Sequence, residues 1–318
     1  MTAIKTALPT LIENESLASH TVFRIGGPAR LYFVAQSVDE IVRAVEQAKT
    51  AGVPWEMLGG GSNVLASDKG FDGLIIQPAN RECVIDGQGV ACGAGALMTV
   101  VARKAAEAGL TGFEWAVTVP GTVGGAIFGN AGCFGGEMRD AIASVDAYRI
   151  ADGARVTLSR DECRFGYRDS LFKHERHVIL GCALELTAGN AAIAIAKLDE
   201  CIAKRKEEQP LGSAGAGCMF KNYTFTEASD LSKLRNEIDV PQIFVDAKRI
   251  PAGWLIERAG FKGYRLGNVE VSDRHANFLV NLGGGTADEV AQLVSIIQMR
   301  IRDQYGIPLK TEVQFIGF

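Results

Sequence analysis

The sequence predicts an α+β fold built in more than one lobe. Near the N-terminus, short apolar runs flank an amphipathic helical stretch. The middle of the chain is rich in strand and hairpin signals, and the last third is organised around one long capped helix. The length agrees, since 318 residues correspond to about two domains at ~150 residues each.

Each element has a local reason. Ser37-Val38-Asp39-Glu40 is a capping-box pattern ahead of Ile41, Val42, Val45 and Ala48, and Gly52 supplies a stop. Val53 to Leu58 and Gly73 to Gln77 read as strands, which closes a first lobe near Pro78. Met98 to Ala108 reads as a helix ended by Gly109, and Pro120 opens a shorter one. Ser144 to Ile150 and Arg155 to Leu158 flank Ala151-Asp152-Gly153, a hairpin signal, and Val178 to Leu186 adds a strand. Ala191 to Gln209 is a helix closed by Pro210. Thr286-Ala287-Asp288-Glu289 caps the helix that runs to Tyr305 and stops at Gly306, and Glu312 to Ile316 is the last strand.

Composition narrows the function. A net charge of −4 argues against a nucleic-acid binder that works by neutralising phosphates. The hydrophobic fraction of 47% provides for a sizeable core. Glu13 and Glu15 beside the N-terminal apolar patch do not fit a signal peptide, and no apolar run approaches the ~20 residues of a membrane span. The cysteines, Cys83, Cys92, Cys133, Cys163, Cys182, Cys201 and Cys218, are scattered and odd in number, with no C-x-x-C pair. That pattern suits reduced thiols in a cytoplasmic protein and gives no metal site.

Leu58-Gly59-Gly60-Gly61-Ser62-Asn63 follows a strand. By itself it is either a plain turn or a concave phosphate site made of backbone N–H groups. It is not a Walker loop, since no Lys-Ser/Thr pair follows, and it lacks the last glycine of a Rossmann fingerprint. Pro120 to Ala126 could add a helix N-terminus, and two such anion sites suit a dinucleotide pyrophosphate. Cys163 to Lys173 is either a salt-bridged surface turn or a pocket wall in which Arg168 pairs a carboxylate. Cys218 is either a small buried residue or a thiol acid at a loop tip. Lys262, Arg274 and His275 are either surface groups or positive charge for an anionic substrate. Glu312 is a solvent-facing strand residue unless tertiary contacts say otherwise, and Trp115 and Trp254 read as core.

Taken in order, several segments resemble the UDP-N-acetylenolpyruvoylglucosamine reductases: His20 to Ala29, the Gly59 loop, Pro120 to Gly132, Tyr167-Arg168-Asp169-Ser170, Gly217 to Asn222, Pro251 to Gly263 and Glu312. The resemblance runs nearly end to end. It implies an FAD-binding region of the vanillyl-alcohol-oxidase type in two lobes, residues 1–78 and 79–208. A substrate domain would follow at 209–306, with a terminal strand, 307–318, returning Glu312 to the active site. It implies that Gly59, Gly60, Gly61, Ser62, Asn63, Pro120, Gly121, Thr122, Gly125, Asn130 and Ala131 hold FAD. Arg168, Cys218 and Glu312 would be catalytic, and Tyr167, Lys221, Asn222, Lys262 and His275 would bind substrate.

The implied reaction is reduction of the enolpyruvyl ether of UDP-N-acetylglucosamine to UDP-N-acetylmuramate, with NADPH as the hydride source and FAD as carrier. It serves peptidoglycan synthesis, and through the cell wall, cell shape and division. A cytoplasmic monomer with no membrane or nucleic-acid partner is expected. Two departures stand out. The family's usual proton donor is Ser where this chain has Cys218, a thiol whose ordinary pKa near ~8.5 makes it the better acid. Tyr223 to Ile250 is longer than the usual connection, whereas Tyr167 to Leu186 is short and lacks the tyrosine-bearing loop of one branch. The chain therefore resembles the loop-lacking branch.

Overall fold

The computed structural model describes residues 2–210 and 212–318. They form two compact units whose segments interleave along the chain. The first takes the described residues up to Glu15, Ala29–Gly60 and Phe71–Glu207. The second takes Ser16–Pro28, Gly61–Gly70 and the described residues from Glu208 to Phe318. Two short segments of the N-terminal region thus belong to the unit built mainly from C-terminal residues, a grouping different from the linear one drawn from sequence.

In the first unit, a four-stranded sheet runs Ile12–Ser16, Pro28–Ala35, Phe71–Pro78, Trp55–Met57 in spatial order. The last three strands are parallel, with Leu31 opposite Leu74, Phe33 opposite Ile76 and Met57 opposite Ile76. Parallel pairing requires a crossover, which the helix Val38–Thr50 supplies; its Ile41, Ala44, Val45 and Ala48 are fully buried with Leu31, Phe33 and Leu74. Ser37 Oγ accepts from the Glu40 N–H, as the capping box predicts. The Glu40 carboxylate reaches one residue further back, to the Gln36 N–H.

The same unit carries a five-stranded antiparallel sheet in the order Ala154–Ser159, Ile142–Arg149, His177–Glu185, Gly89–Gly93, Cys83–Asp86. The expected hairpin around Asp152 and Gly153 is present: Gly153 takes φ +73° and Asp152 pairs with Arg149. The helices Met98–Glu107 and Ala191–Glu208 cover this core, in which Trp115 is buried as expected. Trp254 is partly buried against the core of the second unit.

The second unit is organised around the helix Ala287–Tyr305 and an antiparallel meander, Arg265–Leu266, Val269–Val271, Leu279–Asn281. Leu293, Ile297 and Ile301 pack with Leu255, Ile256, Val269 and Val271. The Thr286/Glu289 capping box forms in full, and Gly306 ends the helix at φ +75°. A second cap comes from far away in sequence. The Asp68 carboxylate accepts from the N–H groups of Ala287 and Asp288 at 3.0 and 3.1 Å, charge that complements the helix dipole. Val64–Ala66 pairs in parallel with the terminal strand Gln314–Ile316. These bonds are why Gly61–Gly70 sorts with the second unit.

The Tyr223–Ile250 segment is closed at its ends by pairing of Tyr223–Thr224 with Arg249–Ile250. Between them lie a 3-10 helix, Ala228–Leu231, and two short α-helices, Ser232–Glu237 and Gln242–Asp246. Leu231 and Leu234 are buried in the core, whereas Ile243 is 72% exposed.

Glu114 is a charge the core must satisfy, being only 2% exposed. Its carboxylate accepts from Thr111 Oγ1 at 2.6 Å and the Gly112 N–H at 2.8 Å, with Lys197 Nζ 3.6 Å away. Burial pushes its pKa up, but these bonds and the lysine outweigh it and leave the group below the usual carboxylate range. A depressed folded pKa adds stability that is complete above the unfolded value, near ~4.3, and is lost as pH falls through the folded value. Glu114→Gln should therefore cost about 1–3 kcal/mol at pH 7, and the gap to the parent should close below pH ~4. Denaturant unfolding across that range checks both; a gap independent of pH would contradict the ionised assignment.

Candidate active site

The glycine loop is shaped by close backbone approaches. A Cβ on Gly60 would lie 2.7 Å from Gly121 Cα, and one on Gly59 would lie 2.5 Å from Thr122 Oγ1. The Gly59 loop and the Pro120 segment, separate in sequence, therefore touch. Gly61 sits at φ +60°, where a Cβ would come within 2.0 Å of the His20 carbonyl oxygen. The Gly59 carbonyl accepts from Gln77 Nε2 and the Gly61 carbonyl from the Val22 N–H. Among the described residues, the N–H groups of Gly59, Gly60 and Gly61 donate to no carbonyl or side chain. Held by its carbonyls with its donors unspent, the loop suits an anion such as pyrophosphate.

The second segment works differently from the sequence expectation. The helix is Val123–Gly129 with Thr122 as N-cap, so Pro120 precedes it. The N–H groups of Val123, Gly124, Gly125 and Ala126 already donate to Ala96 O, Ala94 O, Thr122 Oγ1 and Thr122 O. The helix start therefore has no free donors for a phosphate. What Gly121 and Thr122 contribute is a surface against which Gly59 and Gly60 pack.

Arg168 lies in a tight turn, Gly166 to Asp169, whose end residues exchange N–H···O bonds of 3.0 and 3.2 Å. It takes φ +54°, a left-handed conformation that costs a non-glycine residue about 1–3 kcal/mol. The guanidinium donates from Nη2 to Gly132 O at 2.7 Å and lies over the Tyr167 ring, 5.4 Å from its centroid. Lys173 Nζ donates to the Arg168 carbonyl at 2.8 Å, and Ser170 Oγ to Phe128 O at 2.7 Å. Asn130, fully buried as the left-handed C-cap of Val123–Gly129, donates to Gly166 O at 2.8 Å. Ala131 follows it, its N–H bonded to Ala126 O.

In the second unit, Cys218 lies on a segment gripped from two sides. Cys218 bridges Phe278, the Met219 N–H donates to Asn277 O, and the Asn277 carboxamide bonds both the N–H and the carbonyl of Phe220. On the other side, Phe220 bridges Thr311 and the Glu312 N–H donates to Met219 O at 2.8 Å. The backbones of Cys218 and Glu312 are thus brought onto neighbouring extended segments. Glu312 lies outside the terminal strand, and its carbonyl accepts from Asn63 Nδ2 and Gln314 Nε2. Asn63, the last residue of the glycine loop, therefore helps to place Glu312. Both Cys218 and Glu312 are partly exposed.

Lys221 and Asn222 continue the Cys218 segment. The Lys221 N–H donates to Lys310 O, and Asn222 Oδ1 caps the helix Ala252–Arg258 through the Ala252 N–H. Lys262 is exposed and paired with Glu257 at 3.0 Å. His275 accepts from the Asn277 N–H at Nδ1, which leaves its neutral proton on Nε2, and burial pushes its pKa down. Among the described residues, no His, Cys, Asp or Glu cluster could hold a metal ion. Asn277, like the buried Asn80 and Asn281, carried no sequence signal beyond being an asparagine.

Comparison with known proteins bears on this geometry. A family model described as an FAD binding domain matches residues 29–159. One described as UDP-N-acetylenolpyruvoylglucosamine reductase, C-terminal domain, matches residues 209–316. The UDP-N-acetylenolpyruvoylglucosamine reductase of Anoxybacillus flavithermus is 34% identical over 311 residues, covering 97% of this chain and 95% of that protein. That of Caldicellulosiruptor bescii is 36% identical over 310 residues, covering 96% and 90%. The crystal structure of the Thermus caldophilus reductase aligns with a TM-score of 0.75 at 32% identity, covering 96% of this chain and 98% of that one.

The loop geometry has a direct test. Gly61→Ala combines a positive φ with a contact no Cβ can accept, so it should lower unfolding free energy by about 2 kcal/mol or more. Urea unfolding measures it, and a variant as stable as the parent would show that the loop does not need this glycine.

Proposed function

This chain belongs to the UDP-N-acetylenolpyruvoylglucosamine reductase family, and from that premise we propose how its own residues carry the reduction. It is an FAD-dependent oxidoreductase of peptidoglycan precursor synthesis. The reading assigns NADPH as reductant, UDP-N-acetylglucosamine enolpyruvate as substrate, and a monomer working in the cytoplasm. Among the described residues, no helix is long and apolar enough to cross a membrane.

The residues fit FAD. A Cβ at Gly59, Gly60 or Gly61 would collide with Thr122, Gly121 or His20, so only glycine lets the loop lie as it does, and the three N–H groups there remain to receive pyrophosphate. Ser62, Asn63, Pro120, Gly121, Thr122, Gly125 and Ala131 complete or border that binding region. When bound, FAD supplies the hydride chemistry, and the protein supplies placement and electrostatics.

Hydride arrival at the enolpyruvyl methylene carbon leaves negative charge on the adjacent carbon, spread into the carboxylate as an enolate. The Arg168 guanidinium, already fixed by its turn, stabilises that charge together with a protonated Glu312. The Cys218 Sγ–H then delivers the proton to the adjacent carbon and completes the lactyl ether. Tyr167, Lys221, Asn222, Lys262 and His275 hold the sugar-diphosphate part, with His275 a neutral Nε2–H donor. The observation that carries this reading is the gripped Cys218–Phe220 segment. It brings the backbones of Cys218 and Glu312 onto neighbouring segments, which supports giving the thiol and the carboxyl a shared task.

Two experiments test it. FAD-loaded protein should bleach on anaerobic addition of NADPH and regain its colour when the enolpyruvyl substrate follows; failure to recolour would contradict the assigned substrate. Cys218→Ser should keep substantial activity, whereas Cys218→Ala should slow single-turnover substrate reduction by about 100-fold or more. An alanine variant as fast as the parent would remove Cys218 from the proton step.

A further inference from the structure

We propose that Asn130, which the resemblance assigns to FAD, is instead a positioning residue for Arg168 and touches neither cofactor nor substrate. Its side chain is fully buried, so a bound ligand cannot reach it. Its carboxamide is spent inside the protein: Nδ2 donates to Gly166 O at 2.8 Å and Glu137 Oε2 at 3.1 Å, and Oδ1 accepts from the Arg139 N–H at 3.0 Å. Gly166 is the first residue of the turn that holds Arg168. Two residues beyond Asn130, Gly132 O receives the Arg168 guanidinium. One short segment therefore holds both the backbone of the turn and the charged end of Arg168.

The energetics favour the same role. Arg168 at φ +54° is strained, and a strained residue keeps its conformation only where its surroundings over-determine it. Asn130 is itself left-handed, at φ +43°, a conformation asparagine tolerates better than most residues. Its identity thus serves two purposes: it ends the helix and it aims a donor at the turn. Without the donor, the Gly166 carbonyl loses a buried partner and the turn gains freedom to relax toward negative φ. The guanidinium would then move away from where charge develops, and a displacement of about 1 Å is enough to cost about 100-fold in rate.

This inference rests on the role given to Arg168 above, and the test separates the two. Asn130→Gly keeps the left-handed cap and removes the carboxamide. With flavin reduced beforehand by dithionite, oxidation by the enolpyruvyl substrate should slow about 10- to 100-fold, while reduction of the oxidised flavin by NADPH keeps the parental rate. On an Arg168→Lys background, Asn130→Gly should add little further loss, because both changes disable one device. Equal slowing of both half-reactions, or losses that multiply in the double variant, would overturn the proposal. If Asn130→Gly fails to retain flavin, Asn130→Asp is read by the same criteria, since it keeps the acceptor for Arg139 and loses both donors. Arg168→Lys reducing substrate at the parental rate would instead refute the role of Arg168, and this inference with it.

Discussion

Four buried asparagines form the interaction on which the irregular parts of this protein depend. Asn80, Asn130, Asn277 and Asn281 are each no more than 8% exposed, and each bonds protein groups through both ends of its carboxamide. Asn80 links Leu180 O to the Gly95 N–H, and Asn281 links Phe23 O to the N–H groups of Gly283 and Gly285. A buried amide left unsatisfied costs about 1–3 kcal/mol, whereas one satisfied at both ends fixes two backbones at once. Chain that is neither helix nor strand has no ladder of its own, and these side chains supply one.

The candidate catalytic groups sit where that device operates. Arg168 lies in a turn held by Asn130, and Cys218 lies two residues before Phe220, whose N–H and carbonyl are both bonded by Asn277. Electrostatic stabilisation of a developing enolate works only if the donors are in place before charge appears. A guanidinium on a free loop would have to reorganise during the reaction. The strained φ of Arg168 is offset by surrounding bonds, which would hold the guanidinium in place for the role proposed above.

Glycines complement the asparagines. At Gly59, Gly60 and Gly61 the obstacles to a side chain are Thr122, Gly121 and His20. The loop is glycine-rich because backbone and the Thr122 side chain are packed against it, while its N–H groups remain available. The apparent second anion site at Val123–Gly129 has the opposite balance, since its first four N–H groups are consumed by Ala94, Ala96 and Thr122. Two glycine-rich segments that look alike in sequence therefore do different work.

The sequence by itself determined the elements whose causes are local. The helices Val38–Thr50 and Ala287–Tyr305 were legible because cap, periodicity and stop lie within a few residues of one another. The hairpin at Asp152-Gly153 was legible for the same reason. The order of motifs along the chain pointed to the family, and with it to an FAD-dependent reductase. Tertiary structure alone decided what depends on residues far apart. It joined Asp68 to the start of the Ala287 helix, Val64–Ala66 to the terminal strand, and Asn63 to the Glu312 carbonyl. It also consumed the donors of the Val123 helix. Periodicity and capping report a residue's near neighbours in the chain, but they carry no record of which distant backbone a carboxamide, a carboxylate or a glycine will meet.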